Sequence, residues 1–383
     1  MLPKKLKQQL DDRATNNSLR KLGANNNLID FSSNDYLGLA KSNTIYTEAH
    51  KLTLNSELNI NGASGSRLLT GNNNLYHTLE NDLQSLFKTP ALVYNSGYAA
   101  NLGVFSTLPQ RGDIILYDAL IHTSIREGIT LSRAKGYKFN HNDYQHLKAL
   151  IGQFHSKFPD AQIYVVSESV FSMDGDQADL IQLANLCAPS HTHLIIDEAH
   201  AFGVFGDKGL GLVHDLGLSQ NVCCTIITFG KAVGCHGSAV IAEQDIITYL
   251  INFSKSFIYT TALPPHNISC IIAAIKQLSD KNFGQIQRQN FHDKLAYFKS
   301  ELKTHALTSR FIPSTSPIQC CVIGGNNKTK EVSQLLKTKG FDVKPILSPT
   351  VATGEERLRI CIHSYNSNKE IRDLLTNLAT FVA

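Results

Sequence analysis

The sequence predicts an α/β protein with a mostly parallel sheet in a large domain and a smaller C-terminal α+β domain. Short β-branched runs alternate with longer helical patterns over roughly the first 265 residues, which is typical of a parallel sheet covered by helices on both faces. The run Leu194-Ile-Ile is apolar throughout, as expected for a central strand buried on both sides. Beyond residue 265, long helical patterns are separated by isolated strands.

Seven strands are predicted in the first part of the chain, at Ala91–Asn95, Asp113–Asp118, Tyr137–Asn140, Gln162–Glu168, His193–Asp197, Cys224–Phe229 and Ser238–Ala242. Helical patterns lie at Leu75–Phe87, His146–Phe158 and Leu180–Cys187. Pro264-Pro265 marks the start of a connection. We then expect helical residues 266–305, a strand Ile318–Ile323, a helix near 328–339, a strand Arg357–His363 and a last helix Lys369–Val382. The expected organisation is an N-terminal segment 1–40, a large domain 41–265 and a small domain 266–383.

Composition excludes several classes of function. The 383 residues carry a net charge of only +4 with no long basic run, which argues against nucleic acid as a partner. The sequence contains no run of about 18 apolar residues, so we expect no membrane span. The polar N-terminus lacks the apolar centre of a signal peptide. We therefore expect a cytoplasmic protein. Its eight cysteines include adjacent pairs at 223–224 and 320–321; neighbours on a strand point to opposite faces, so we expect reduced thiols and no metal site.

The most informative reactive side chains follow two of the predicted strands. Lys231 follows the run Cys224–Phe229, and a glycine turn comes after it. Asp197 ends the run that begins at His193, and His200 lies three residues further on. A pyridoxal phosphate (PLP) enzyme needs a lysine amine to bind the aldehyde carbon and a carboxylate to hold a proton on the pyridine nitrogen. The carboxyl ends of strands in open α/β sheets are where ligands bind.

Further residues fit the same cofactor. Ser96-Gly97 follows an apolar strand and opens a helical pattern, so its backbone N–H groups could bind a phosphate; a simple N-cap is the alternative. Thr228 could add a hydroxyl to that phosphate, and His200 could reach the phenolic oxygen of the ring. His122 follows another strand, where a flat imidazole could stack on the ring or merely begin a helix.

A late strand offers two arginines for a substrate carboxylate. Arg357 and Arg359 lie two residues apart, so they share one face of the strand. A guanidinium fork is suited to binding an amino-acid carboxylate. Spacing alone does not choose between the two residues.

Motifs of other enzyme classes are incomplete. Leu194–His200 resembles the Mg²⁺-binding motif of DEAH-type helicases, but the Gly-x-x-x-x-Gly-Lys-Ser/Thr loop that such motors need is missing from the sequence. Gly62–Arg67 and Gly206–Gly211 do not match Gly-x-Gly-x-x-Gly, and the Gly-x-Ser-x-Gly elbow of serine hydrolases does not occur.

The chain resembles the α-oxoamine synthases, PLP enzymes of fold type I, from about Asp30 to the C-terminal helix. The resemblance is carried by Phe31–Gly38, Gly65–Gly71, Ser169–Gly175, Asp197–His200 and Thr228–Lys231. It implies that Lys231 binds PLP, that Asp197 pairs with the pyridine nitrogen, and that His122 stacks on the ring. It also implies pocket or phosphate roles for Ser172, His200, Glu168, Gly97, Tyr98 and Thr228.

The same resemblance implies substrate contacts and a partner. Asn34 and Arg359 would face the amino acid, and Arg20 would approach the far end of the acyl chain. Thr260 or Thr261 would reach the phosphate of a neighbouring subunit, because family sites form at the interface of a homodimer.

Within the family, four segments favour the branch that condenses L-alanine with pimeloyl-CoA or a pimeloyl carrier protein: His141–Asp143, Phe171–Asp176, Asp197–His200 and Tyr259–Pro265. The alternatives are condensation of glycine with acetyl-CoA, use of a long-chain acyl-CoA, and a scaffold that has lost catalysis. The intact Lys231, Asp197 and His200 argue against the last.

Overall fold

Twelve strands and fourteen α-helices are seen in the computed structural model, which describes residues 2–23, 27–188 and 191–382. The outermost ends of the predicted domain ranges, residues 1 and 383, lie outside the described residues. In chain order the strands are β1 (Ile29–Asp30), β2 (Ala91–Tyr94), β3 (Ile114–Asp118), β4 (Lys135–Phe139), β5 (Ile163–Glu168), β6 (Thr192–Asp197), β7 (Cys224–Thr228), β8 (Ser238–Ala242), β9 (Ile318–Val322), β10 (Phe341–Asp342), β11 (Lys344–Ile346) and β12 (Arg357–Cys361).

The α-helices are numbered in the same way. In chain order they are α1 (Lys4–Thr15), α2 (Asn43–Asn55), α3 (Asn74–Phe87), α4 (Gly97–Thr107), α5 (Thr123–Leu131), α6 (Tyr144–Lys157), α7 (Leu180–Cys187), α8 (Leu212–Asp215), α9 (Gln244–Phe253), α10 (Lys255–Ile258), α11 (Pro265–Ser279), α12 (Gly284–Thr304), α13 (Asn326–Thr338) and α14 (Asn368–Val382). Over the described residues, no helix combines the length and hydropathy needed to cross a membrane.

The seven-stranded sheet has the order β2-β8-β7-β6-β5-β3-β4. Strands β7, β6, β5, β3 and β4 run parallel, while β8 is antiparallel to both β7 and β2. The predicted, mostly parallel sheet is therefore confirmed. Parallel neighbours place their carboxyl ends at one edge of the sheet, and this alignment positions the candidate site.

Apolar side chains cover the sheet on both faces. On β6, Ile195 packs in one core with Val104 and Phe105 of α4. Its neighbour Leu194 packs in a second core, with Leu147 of α6 and residues of α7. Because successive side chains of a strand point to opposite faces, the apolar run that marked β6 in the sequence supplies both cores.

The chain divides into two compact units by its internal contacts. The larger one comprises Asp35–Phe171 and Gln177–Gln289, and it contains the seven-stranded sheet. The smaller one comprises the residues up to Asn34, Ser172–Asp176 and the residues from Asn290 on. It holds the antiparallel sheet β11-β12-β9 and the parallel pair β1-β10.

The predicted domain ranges stay a prediction, although the boundary by contacts falls inside α12 and not near residue 265. Helix α11 belongs to the larger unit, because it packs on α2. The predicted helical stretch 266–305 is two helices, α11 and α12. Strand β4 begins two residues earlier than expected, because Lys135 and Gly136 pair with β3 despite their exposure. All eight cysteines are unbonded thiols.

One buried carboxyl links stability to pH. Glu198 is fully buried, and its Oε1 accepts the backbone N–H groups of Leu212 (2.7 Å) and Val213 (3.1 Å). Burial raises the pKa of Glu198 to about 7, against an ordinary value of 4.5, although the two N–H donors oppose the rise. The folded chain therefore binds an extra proton between these pH values. This contribution to stability is fully present below about pH 4.5 and is lost as pH rises through about 7.

Glu198→Gln should flatten this dependence, because glutamine keeps an acceptor for the N–H groups and does not titrate. We expect the fall in the free energy of unfolding between pH 5 and pH 8 to shrink by on the order of 3 kcal/mol. Denaturant titrations at the two pH values measure it, with the exposed Glu243→Gln as control. An unchanged fall in the Glu198→Gln variant would show that Glu198 does not carry the linkage.

Candidate active site

Polar side chains gather at the carboxyl ends of three neighbouring strands. Glu168 ends β5, Asp197 ends β6, and Lys231 follows the end of β7 by three residues. In the sheet register Glu168 lies beside Asp197, and Asp197 lies beside Ile226 of β7. The three strands are parallel, so these residues share the edge at which open α/β sheets bind ligands.

Lys231 is held in a hydrogen-bonded row with two aromatic side chains. Its Nζ lies 2.8 Å from Nε2 of His200, and Nδ1 of His200 lies 2.7 Å from the hydroxyl of Tyr36. The turn after the lysine needs glycine at position 234, where φ is +67° and a Cβ would lie 2.2 Å from the backbone nitrogen of Ala40. Close packing of this turn fixes the backbone that carries the amine.

Both oxygens of Asp197 accept hydrogen bonds. Oδ1 accepts the backbone N–H of Ala199 at 2.8 Å, and Oδ2 accepts Nδ2 of the buried Asn101 at 2.8 Å. These two donors hold the carboxylate in one orientation. Asp197 is only 5 % exposed, so a cationic ring nitrogen beside it would gain a strong charge-assisted hydrogen bond.

His122 and Glu168 adjoin the same carboxylate. Oε1 of Glu168 accepts the backbone N–H of His122 at 2.5 Å. Burial and the nearby Asp197 charge raise the pKa of Glu168 well above its ordinary value. Loss of hydration lowers the pKa of His122; the Asp197 carboxylate opposes this shift, and the Lys231 cation reinforces it. The surroundings therefore favour a protonated Glu168 and a neutral imidazole.

The first turn of α4 faces Thr228. Ser96 caps the helix by accepting the N–H of Ala99 at 3.1 Å. A Cβ built on Gly97 would lie 3.7 Å from Oγ1 of Thr228, so the helix start and the hydroxyl border one space. The leading N–H groups of a helix have no partners within it. A helix N-terminus beside a hydroxyl is suited to an anion such as phosphate.

The remaining predicted residues of the larger unit lie near this helix start. Tyr98 is 42 % exposed, and its hydroxyl donates to Glu127 on α5. Nδ2 of Asn95 lies 3.3 Å from Oγ1 of Thr260 and 2.5 Å from the carbonyl oxygen of Thr261. Both threonines therefore border Asn95 of their own chain, and their role in a neighbouring subunit stays a prediction.

The smaller unit contains the predicted substrate residues. Arg359 on β12 is 8 % exposed; its Nε donates to the carbonyl of Ser172 at 2.8 Å, and its Nη2 donates to Oδ1 of Asn34 at 3.0 Å. These contacts bring three of the predicted residues together. Arg20 is exposed after α1.

Tertiary contacts distinguish Arg357 from Arg359. Arg357 forms an ion pair with Asp174 and a longer one, of 3.4 Å, with Glu355. Two carboxylates thus already balance the charge of Arg357. Arg359 donates to oxygens of Ser172 and Asn34, and its role as the group that receives an anionic substrate stays a prediction.

Sequence patterns missed three members of this site. Asn101, Ser124 and Tyr36 are buried and hydrogen-bonded to predicted residues. Asn101 is four residues after Gly97, and this spacing puts both on one side of α4. The spacing could therefore have indicated that Asn101 faces the site. The sequence offered no comparable signal for Tyr36 or Ser124.

The residues present fit PLP. An amine, a buried carboxylate and a capped helix start with a hydroxyl lie at one edge of the sheet, and these are the groups that would hold the aldehyde, the ring nitrogen and the phosphate. A sequence model of the aminotransferase class I and II family matches residues 26–378. The chain belongs to this family.

Curated members of the aminotransferase class I and II family resemble the chain over most of its length. An 8-amino-7-oxononanoate synthase of Photobacterium profundum is 36 % identical over 353 residues, which cover 92 % of this chain and 87 % of the relative. One from Emericella nidulans is 36 % identical over 371 residues, with 92 % and 89 % covered.

Solved structures of the family agree with the fold. Sphingomonas wittichii serine palmitoyltransferase superposes with a TM-score of 0.85 at 25 % identity and covers 92 % of this chain and 87 % of its own. An 8-amino-7-oxononanoate synthase from Francisella tularensis gives 0.76 at 27 % identity, with 92 % and 97 % covered. Another serine palmitoyltransferase structure contains a PLP internal aldimine. The predicted fold type I and α-oxoamine synthase resemblance are confirmed, and the protein is a PLP-dependent enzyme of the acyltransferase kind.

Proposed function

We propose that this enzyme condenses L-alanine with pimeloyl-CoA or a pimeloyl carrier protein in biotin biosynthesis. The products are 8-amino-7-oxononanoate, CO₂ and the free thiol. The Lys231 amine, 2.8 Å from His200, and the Asp197 carboxylate at the end of the neighbouring strand carry the proposal, because PLP chemistry requires an amine and an anion. The names of the curated relatives, at 36 % identity, support the choice of substrates.

The proposed reaction relies on proton transfer at one carbon of alanine. When bound, PLP would withdraw electrons from this Cα, so that the carbon can lose its proton and, after acylation, the carboxyl group can leave as CO₂. Lys231 is proposed to bind PLP covalently and, once released, to accept the Cα proton and later return one. His200, 2.8 Å from the Lys231 amine, holds that amine in place.

The other residues position the two reactants. Asp197 is proposed to keep a proton on the ring nitrogen, and His122 to stack on the ring. Glu168 supports this pocket from β5. The remaining proposed contacts are Gly97, Tyr98 and Thr228 for the phosphate; Ser172 with His200 for the phenolic oxygen; Asn34 and Arg359 for the alanine carboxylate; and Arg20 for the far end of the acyl chain.

Assembly and location complete the proposal. We propose a homodimer in which Thr260 or Thr261 of one subunit reaches the phosphate of the other. A carrier protein as acyl donor and a cytoplasmic location stay predictions from the sequence.

The purified enzyme, reconstituted with PLP, tests the proposed reaction directly. It is mixed with L-alanine or glycine and with pimeloyl-CoA, pimeloyl carrier protein, acetyl-CoA or palmitoyl-CoA, and the free thiol and the product mass are measured. We expect alanine with a pimeloyl thioester to exceed every other pair in kcat/KM by about tenfold or more. A higher value for glycine with acetyl-CoA would contradict the proposal.

A second candidate is an α-oxoamine synthase that uses another amino acid or a longer acyl thioester. The superposition on serine palmitoyltransferase, with a TM-score of 0.85, supports it. Release of thiol with serine and palmitoyl-CoA, but not with alanine and pimeloyl-CoA, would favour this candidate.

Arg359→Lys is expected to raise KM for L-alanine by about 10 to 100-fold, because lysine cannot form the two parallel hydrogen bonds of the guanidinium fork. Arg357→Lys is the matched control on the same strand. It should change KM by less than about threefold and lower the melting temperature, since it weakens the buried pair with Asp174. Steady-state kinetics and thermal unfolding measure both effects. A larger rise in KM for the Arg357 variant would reverse the assignment.

A further inference from the structure

Four side chains, three of them buried, form one hydrogen-bonded row at the candidate active site. Nδ2 of the buried Asn101 donates to Oδ2 of Asp197 at 2.8 Å and to Oγ of Ser124 at 3.0 Å. Oγ of Ser124 lies 2.7 Å from Nδ1 of His122, the more exposed end of the row. Asn101 and Ser124 therefore connect the Asp197 carboxylate to the His122 imidazole.

The Asp197 carboxylate fixes the direction of the Asn101 amide. Turning the amide over would place its oxygen against a carboxylate oxygen, two acceptors face to face, so Nδ2 must point to Asp197. Both N–H bonds of Asn101 are then used. Its Oδ1 is buried and has no hydrogen-bond partner among the described residues. A buried acceptor without a partner costs stability, which indicates that the amide is placed for its two donors.

The direction of every later hydrogen bond follows from this amide. Ser124 accepts from Asn101, so its own hydroxyl proton is left for Nδ1 of His122. The backbone N–H of Ser124 also donates to this Nδ1, at 3.2 Å. A backbone N–H can only donate, so Nδ1 carries no proton. The imidazole must then keep its proton on Nε2.

We propose that Asn101 and Ser124 are positioning residues that fix His122 as the neutral tautomer protonated on Nε2 and hold Asp197 as an oriented carboxylate. The proposal rests on the functions proposed for His122 and Asp197. A neutral imidazole avoids repulsion with the Lys231 amine and with a protonated cofactor ring.

Charged groups around His122 act in both directions. Asp197 and Glu127 favour its protonation, whereas Lys231 disfavours it. Glu168 accepts the His122 backbone N–H. Loss of hydration favours the neutral ring, and so does the hydrogen bond from the Ser124 hydroxyl, whereas the two nearby acidic residues favour the protonated ring. Removal of the hydroxyl should therefore change the pKa of His122.

Nitrogen-15 NMR of the PLP-free, histidine-labelled protein tests the tautomer. The His122 signals are assigned by their loss in His122→Gln. We expect the wild-type shifts of an unprotonated Nδ1 and a protonated Nε2. A wild-type Nδ1 that carries the proton would overturn the proposal, and this measurement requires no variant of Asn101 or Ser124 to fold.

Ser124→Ala removes one donor to Nδ1. We expect the His122 pKa, read from the same spectra, to rise by about 0.5 to 1 unit, while the backbone N–H of residue 124 still keeps the proton of the neutral ring on Nε2. Ser106→Ala is the control, since Ser106 lies on α4 and its hydroxyl bonds to the Leu102 carbonyl. An unchanged His122 pKa in Ser124→Ala would overturn the role of the Ser124 hydroxyl.

Asn101→Ala removes the donor to Asp197. We expect the Kd for PLP, measured by fluorescence titration, to rise about tenfold. The reason is that the Asp197 carboxylate loses the hydrogen bond from Asn101 and keeps the one from the Ala199 backbone. An unchanged Kd together with unchanged His122 spectra would overturn the role of Asn101. These measurements use neither alanine nor a thioester, so an enzyme with other substrates would contradict the proposed function and leave this row intact.

Discussion

Lys231→Ala is expected to abolish turnover, with kcat lower by about 10³-fold or more. The amine 2.8 Å from His200 is the proposed covalent anchor of PLP and the proposed base for the Cα proton. Alanine offers neither function. Without the covalent bond, the visible absorbance of lysine-bound PLP should disappear. The cofactor should also separate from the protein on gel filtration.

The exposed Lys208→Ala provides the control for Lys231. It removes the same side chain from the larger unit and should keep both the spectrum and the turnover. Circular dichroism of both variants verifies that they fold. Turnover by Lys231→Ala within about tenfold of wild type would rule out the proposed base.

Asp197→Asn is expected to lower kcat by about 10² to 10³-fold while the protein still binds PLP. Asparagine has the size of aspartate but a single side-chain oxygen, so it can accept from Asn101 or from the Ala199 backbone N–H, not from both. It has no charge, however, and cannot stabilise a proton on the ring nitrogen. A ring without that proton withdraws electrons from the substrate carbon less effectively.

Steady-state kinetics and PLP titration separate these effects of Asp197→Asn. The exposed Asp160→Asn serves as control and should match wild type in both measurements. If Asp197→Asn kept nearly full kcat, the carboxylate would not be the partner of the ring nitrogen. If the variant lost PLP binding altogether, Asp197 would act mainly in affinity.

Strand-borne residues could be predicted because strand ends are predictable. Lys231 and Asp197 each follow an apolar run, and neighbouring parallel strands bring such ends to one edge. The structure places Asp197 at the end of β6, beside Glu168 at the end of β5, and Lys231 three residues after the end of β7. The period of two along a strand equally predicted that Arg357 and Arg359 share a face.

Residues defined by their partners could not be predicted in this way. Tyr36 is separated from His200 by 164 positions, and Asn101 from Asp197 by 96. Their hydrogen bonds depend on where loops and helices meet the sheet, which no local period encodes. The choice between the two arginines likewise depends on Asp174, which is 183 positions from Arg357.

The α/β class, the parallel strands, and the lysine and aspartate near their ends could be predicted from the residues alone, because alternation and apolar runs are local consequences of backbone geometry. Folding alone shows which groups contact Nδ1 of His122, that Arg357 pairs with Asp174, and how Asn101 connects Asp197 to Ser124. The physical reason is that a hydrogen bond depends on distances of about 3 Å between atoms far apart in the chain, and only folding brings such atoms together.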